Sequence, residues 1–171
     1  MQSDVHGLIV ADDSPLIRDL LRSHLDPGFG HVYLASDGAE AVEIARRIQA
    51  RLVVLDYRMP RLNGMDACRE IRALPEYATV PIVLLTAYDD ERARRESTRA
   101  GVTLLMAKPF SREQLIEALG PLLSPDDGSE DGLVQGRDLL HLRRRIDAAT
   151  AQRRQIGFSE RQYPMRDVWR R

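Results

Sequence analysis

Five positions in this sequence carry groups that could combine into one reaction: the adjacent pair Asp12 and Asp13, then Asp56, Thr86 and Lys108. Clustered carboxylates repel one another, and a cation relieves that cost. Hard oxygen donors at such density suit Mg²⁺, which keeps several waters and accepts one or two carboxylates. One carboxylate can then attack an electrophile, and an aspartyl phosphate is a known covalent form of such a residue. Mg²⁺ and the ammonium of Lys108 would neutralise oxygens on a transferring phosphoryl group, while Thr86 would donate a hydrogen bond to another. Lys108 is an exception in this chain: of 25 lysines and arginines it is the only lysine. A slim ammonium threads a narrow site as a point charge, where a forked guanidinium does not fit without rearrangement. Each residue alone has a plainer reading. Asp13 could cap a helix, Thr86 could be an ordinary strand residue, and Lys108 a solvated charge. Their joint occurrence is what points to a site.

For these groups to meet, the chain must bring the ends of several strands together. Short apolar runs at 7–13, 31–36, 51–57, 81–87 and 103–109 read as strands. Those centred on Leu8–Val10, Val53–Leu55 and Ile82–Leu85 are apolar throughout, the mark of strands buried on both faces of a parallel sheet. Helical patterns fall between them at 14–25, 38–50, 64–74, 89–100 and 111–123. Ser14 and Pro15 sit where an N-cap and a first-turn proline belong, and Ser111 with Glu113 marks another helix start. Five β-α units predict an α/β fold, a doubly wound five-stranded parallel sheet with helices on both faces. Ligands of such sheets sit at the carboxyl ends of the strands. Asp12 and Asp13, Asp56, Thr86 with Ala87, and Lys108 with Pro109 all fall there.

This set resembles the receiver domain of two-component response regulators, as does the segment "VLDYRMPRLNGMD" with Pro60 and Gly64 at that family's offsets. The resemblance covers residues 6 to about 123 and implies a flavodoxin-like receiver fold. It implies that Asp56 is the phosphoacceptor and that Asp12, Asp13, Asp56 and the backbone carbonyl of Arg58 hold Mg²⁺, Asp12 directly or through water. Thr86 and Lys108 would bind the phosphoryl oxygens. The phosphoryl donor would be a histidine kinase or a histidine phosphotransfer protein, and the module would catalyse only its own phosphorylation and dephosphorylation. An enzyme of the haloacid-dehalogenase type also uses an aspartyl nucleophile and Mg²⁺. Its nucleophile lies on the first strand with a second Asp two residues on, whereas Asp12 and Asp13 are adjacent.

One departure concerns the switch. Receiver domains usually carry Tyr or Phe three residues before the lysine, and here that position is Leu105. Leucine can fill the same pocket but has neither a hydroxyl nor a flat ring. Arg58, Ala87 and Tyr88 are the variable neighbours of the phosphoryl site. Arg58 could pair with a phosphoryl oxygen, and Tyr88 could screen the path of attacking water; both could equally face solvent.

The remaining sequence bounds the setting. A net charge of -1 gives no global pull toward nucleic acid or an anionic membrane. A single cysteine, Cys68, excludes an internal disulfide and reads as a semi-buried packing residue on a helix. The N-terminal stretch has no basic leader, and no run approaches a membrane span, so a cytoplasmic location is expected. Residues 1–124 read as the receiver, and 125–133 as an acidic linker rich in Ser, Gly and Pro. The remaining segment, 134–171, carries ten arginines against four acidic residues. Within it Leu139, Leu142, Ile146, Ala149 and Ile156 follow helical spacing, with Arg153 on the seam. This helical extension is short for a DNA-binding domain and shows no two-helix pattern. Its stripe favours docking on a protein partner, on the receiver or on a second copy. A DNA-binding transcriptional regulator that uses the basic tail is the competing reading.

Overall fold

A computed structural model describes residues 7–87 and 91–123. Five strands, β1 (Gly7–Ala11), β2 (Val32–Ala35), β3 (Ala50–Asp56), β4 (Ile82–Thr86) and β5 (Leu104–Ala107), form one parallel sheet in the order β2-β1-β3-β4-β5. They alternate with α1 (Pro15–Phe29), α2 (Gly38–Ala45), α3 (Gly64–Arg72), α4 (Glu91–Ala100) and α5 (Arg112–Leu123). The architecture is the doubly wound, flavodoxin-like α/β fold. By compactness the chain divides into Met1–Pro109, which holds the sheet and α1 to α4, and Phe110–Arg171, which holds α5. Tyr88, the acidic linker and the expected helical extension lie outside the described residues.

Strands β1 and β4 are buried at every position, and β3 is buried at every position but Arg51, as their apolar runs require. Side chains of one parity, Ile9, Ala11, Val53, Leu55, Ile82 and Leu84, share a core with Val42 of α2, Ala67, Cys68 and Ile71 of α3, and Ala100 of α4. Side chains of the other parity, including Leu8, Val10, Leu52, Val54, Val83 and Leu85, are equally buried on the opposite face. The step from β1 to β2 runs across the sheet against the direction of the later steps. Right-handed crossovers therefore put α1 on that opposite face, away from α2, α3 and α4.

Several boundaries differ from the sequence reading. The first helix continues past residue 25 to Phe29, whose ring is buried, and Arg51 Nη2 donates to the Phe29 carbonyl at 2.6 Å. Gly30 then ends it at a φ of 92°, which favours glycine. The second helix stops at Ala45 rather than near 50, because Ala50 is drawn into the third strand and the chain turns over Arg46–Ile48. A 3-10 turn at Pro75–Tyr77 was not legible in advance; its buried Tyr77 hydroxyl donates to the Ile48 carbonyl at 2.8 Å and accepts from the Ala50 amide at 3.1 Å. At the start of α5 a reciprocal cap pairs Ser111 with Gln114. Cys68 is fully rather than partly buried. Its thiol donates to the Ala100 carbonyl at 3.3 Å, and burial pushes its pKa up to about 11, so it packs and does not react.

Candidate functional site

Parallel register assembles the site. Ala11 pairs with Leu55, so Asp12 follows beside Asp56; Asp56 pairs with Leu85, so Thr86 comes next; Thr86 pairs with Ala107, so Lys108 follows. Four strands thus deliver their carboxyl-end residues to one crevice, at the place where strand order reverses around β1 and β3. Burial is severe for polar and charged groups: Asp12 is 1% exposed, Asp56 7% and Thr86 1%. Asp13, Arg58 and Ala87 are exposed at the rim.

Lys108 holds the centre. Its Nζ lies 2.5 Å from Asp56 Oδ1 and 3.0 Å from Asp12 Oδ2. The Lys108 amide donates to the Thr86 carbonyl at 2.7 Å, which fixes the root of the side chain, and the Lys108–Pro109 peptide is cis. The outer oxygens are also held. Asp12 Oδ1 accepts the Ser14 amide at 2.9 Å, and Asp56 Oδ2 accepts the Arg58 amide at 2.9 Å. From α1, Arg18 Nη1 donates to the Asp12 carbonyl at 2.6 Å. Burial pushes the Asp56 pKa up. The Lys108 charge and hydrogen bond pull against it and the Asp12 charge adds to it, leaving the group above the ordinary range.

The sequence suggested three carboxylates converging. Among the described residues no three His, Cys, Asp or Glu side chains are grouped to hold a metal by themselves. Two carboxylates meet on one ammonium instead, with Asp13 at the exposed rim. That arrangement still fits Mg²⁺: the donors are all oxygen, one or two carboxylates suffice, and a mouth open to water supplies the other ligands. Asp56, desolvated beyond what Lys108 offsets, is a carboxylate that further positive charge would relieve.

Glycine at position 64 has a steric cause. A Cβ there would fall well inside contact with the Asp56 carbonyl oxygen and press on Leu84. The Gly64 amide donates to the Tyr57 carbonyl at 3.1 Å, and Asn63 caps α3 by accepting from the Asp66 amide at 2.9 Å. The segment 57–64 is thereby folded back under the phosphoacceptor candidate. Leu105 pairs with Leu84 in the ladder and packs half-buried against the α2-α3-α4 core. An aliphatic side chain thus stands where the resemblance expects the switch residue.

Sequence reasoning missed the end of the second strand. Asp37 is buried there, caps α2 by accepting the Glu40 amide at 3.0 Å, and is gripped by Arg61 through Nε at 2.7 Å and through Nη2. Burial raises the Asp37 pKa, but the Glu40 amide, the Arg61 hydrogen bond and the Arg61 charge together outweigh it and hold the carboxyl below its usual range. The signal was present: Asp37 follows an apolar run and precedes a helical pattern, as Asp12 and Asp56 do.

The profile of the response regulator receiver domain matches residues 8–120. The chain belongs to that family. It carries a receiver domain of a two-component response regulator. Its curated relatives include the response regulator MprA of Mycobacterium leprae, 36% identical over 135 residues covering 77% of this chain and 58% of that protein. The MprA of Mycobacterium tuberculosis is 34% identical with the same coverage. The chain therefore spans less than two thirds of the length of these relatives. Among solved structures, the chemotaxis protein CheY4 of Vibrio cholerae superimposes with a TM-score of 0.67 at 28% identity, covering 70% of this chain and 99% of that one. The receiver domain of the sensor histidine kinase PA1611 of Pseudomonas aeruginosa, described with a magnesium ion in its active-site cleft, is 32% identical. Its TM-score is 0.63, over 68% of this chain and 96% of that one. Among the described residues no helix is long and apolar enough to cross a membrane.

Proposed function

We propose that this receiver takes a phosphoryl group on Asp56 from a histidine kinase or a histidine phosphotransfer protein, and that the phosphorylated form changes its protein partners. The observation that carries this reading is the single ammonium of Lys108 shared between Asp56 and Asp12. An Asp56 oxygen attacks phosphorus as the donor's P–N bond breaks, and the proton needed by the leaving imidazole comes from solvent. Lys108 leaves the Asp56 oxygen that reacts and pairs with a phosphoryl oxygen, while Thr86 donates to a second. Asp12, Asp13, Asp56 and the Arg58 carbonyl would hold Mg²⁺, which supplies neutralisation of the charge that builds on the transferring group. No metabolic substrate is required; the module acts on itself.

The composition of residues 125–133 as a linker and of 134–171 as an arginine-rich helical extension supports a protein-docking output, with a homodimer favoured over nucleic acid. The chain's identity with a series of response regulators supports a cytoplasmic setting. The reading is tested by fluorine NMR of beryllofluoride added with Mg²⁺. A bound fluoride signal in the wild type, absent in Asp56→Asn, is expected; equal signals in both proteins would dismiss it.

A further inference from the structure

The segment that follows Asp56 is fastened at two ends. Its inner end is tied to the site by the Arg58 amide on Asp56 Oδ2 and by the Gly64 amide on the Tyr57 carbonyl. Its outer end is tied to the start of α2. There the Gly38 amide donates to the Leu62 carbonyl at 3.1 Å, and the two backbones lie so close that a Cβ on Gly38 would collide with that oxygen. Beside this contact Arg61 closes over the carboxylate of Asp37, exposed on its outer side while Asp37 beneath it is 3% exposed. Arg61 does so from a backbone φ of 63°, a left-handed conformation that non-glycine residues seldom adopt and that clusters at functional sites. A bulky, charged residue at a position that suits glycine calls for a reason. The forked guanidinium on a buried carboxylate supplies one.

We propose that Arg61 and Asp37 form a latch that positions the 57–64 segment, so that the disposition of the Arg58 backbone at the Mg²⁺ site depends on an ion pair outside that site. The two residues are positioning residues: neither touches the reacting atoms. The proposal rests on the reading of Asp56 as phosphoacceptor with Mg²⁺, because only then does the placement of Arg58 matter to chemistry. Partners that orient the ligands of a metal commonly change its affinity by about 10- to 100-fold when removed. The sequence cannot show this pair, since 24 positions separate its members and neither lies at an end of β1, β3, β4 or β5.

The test uses the full chain. Arg61→Gly keeps the left-handed backbone without steric strain and deletes the guanidinium. Asp37→Asn keeps the cap on the Glu40 amide and deletes the charge. Arg61→Lys keeps the charge and loses the fork. Calorimetric Mg²⁺ titration should show affinity at least about tenfold weaker in Arg61→Gly and in Asp37→Asn, with Arg61→Lys between them and wild type. The double variant should be no weaker than the worse single one, because the pair acts as a unit. Amide exchange at Gly38 and Gly64 should quicken in both single variants while the Glu40 amide stays protected in Asp37→Asn. Wild-type affinity in the single variants, or effects that add in the double one, would overturn the latch. If the wild type binds no Mg²⁺, the proposed function fails, and the exchange rates alone decide the latch: unchanged rates at Gly38 and Gly64 reject it.

Discussion

Lys108 reaches across 52 positions of sequence to place its Nζ 2.5 Å from Oδ1 of Asp56. The lysine is only 12% exposed at its side chain, so the ammonium meets that oxygen largely shielded from water. Its second partner, Asp12, directly follows β1, the strand beside the β3 that carries Asp56. A point charge can serve both carboxylates at once and let one go when a phosphoryl group arrives.

Lys108→Arg should therefore fold but respond poorly. Charge is conserved, yet the bulkier planar fork cannot take the place of the buried ammonium without displacing Asp12 or Asp56. Amide exchange across β4 and β5 with and without beryllofluoride and Mg²⁺ reads the response. Protection on activation is expected in the wild type and at least about tenfold less in the variant. Equal protection would make the lone lysine incidental.

Gly64→Ala tests the closeness of the segment to the site. The added methyl collides with the Asp56 carbonyl, a rigid backbone atom, so the strand end itself must move. Overpacking of this kind costs about 1–3 kcal/mol. Urea unfolding should show that loss, together with weaker beryllofluoride binding. A variant with unchanged stability would show that the segment yields freely.

Acid should weaken the latch in a defined direction. The Asp37 carboxyl lies below its ordinary value of 3.8 in the folded chain. Its contribution is present above that unfolded-state value and is lost as pH falls through the lower folded-state value. Facing it are Arg61, the Glu40 amide and the Ser36 hydroxyl, and Glu40 itself is held below its usual range by Ser36. Wild type should be more stable than Asp37→Asn at neutral pH, with the gap closing below about pH 3.8. Urea midpoints over that range measure it; a gap that widens on acidification contradicts the ion pair.

The extension is open to a separate test. The helix proposed for its stripe of Leu139, Leu142, Ile146, Ala149 and Ile156 would fold only by packing, since isolated helices of this length are marginal in water. Burying each aliphatic side chain contributes about 1.5–3 kcal/mol before entropy costs. Sedimentation should find a dimer that Leu142→Asp with Ile146→Asp dissociates. A wild-type monomer would leave the docking surface to another protein.

How much of this was written in the sequence depends on what each residue needs. Asp12, Asp56, Thr86 and Lys108 follow directly on apolar runs, and parallel strands bring such positions together whatever the loops do. Their gathering was therefore legible. Helix ends were less so: Phe29 and Ala50 took their states from burial and strand pairing, which local pattern does not encode. The grip of Arg61 on Asp37 was invisible, because it depends on a left-handed turn and on contact between two separate loops. The exposure of Asp13 at the rim was not legible, since adjacency in sequence puts it beside Asp12 without saying which of the two is buried.

The central claim, that Asp56 is the phosphoacceptor, is tested most directly by mass spectrometry of the chain treated with phosphoramidate and Mg²⁺. One phosphoryl group on Asp56 is predicted, lost in Asp56→Asn and strongly reduced by a chelator or by Asp12→Asn with Asp13→Asn. Label on another residue, or label that survives Asp56→Asn unchanged, would contradict the account.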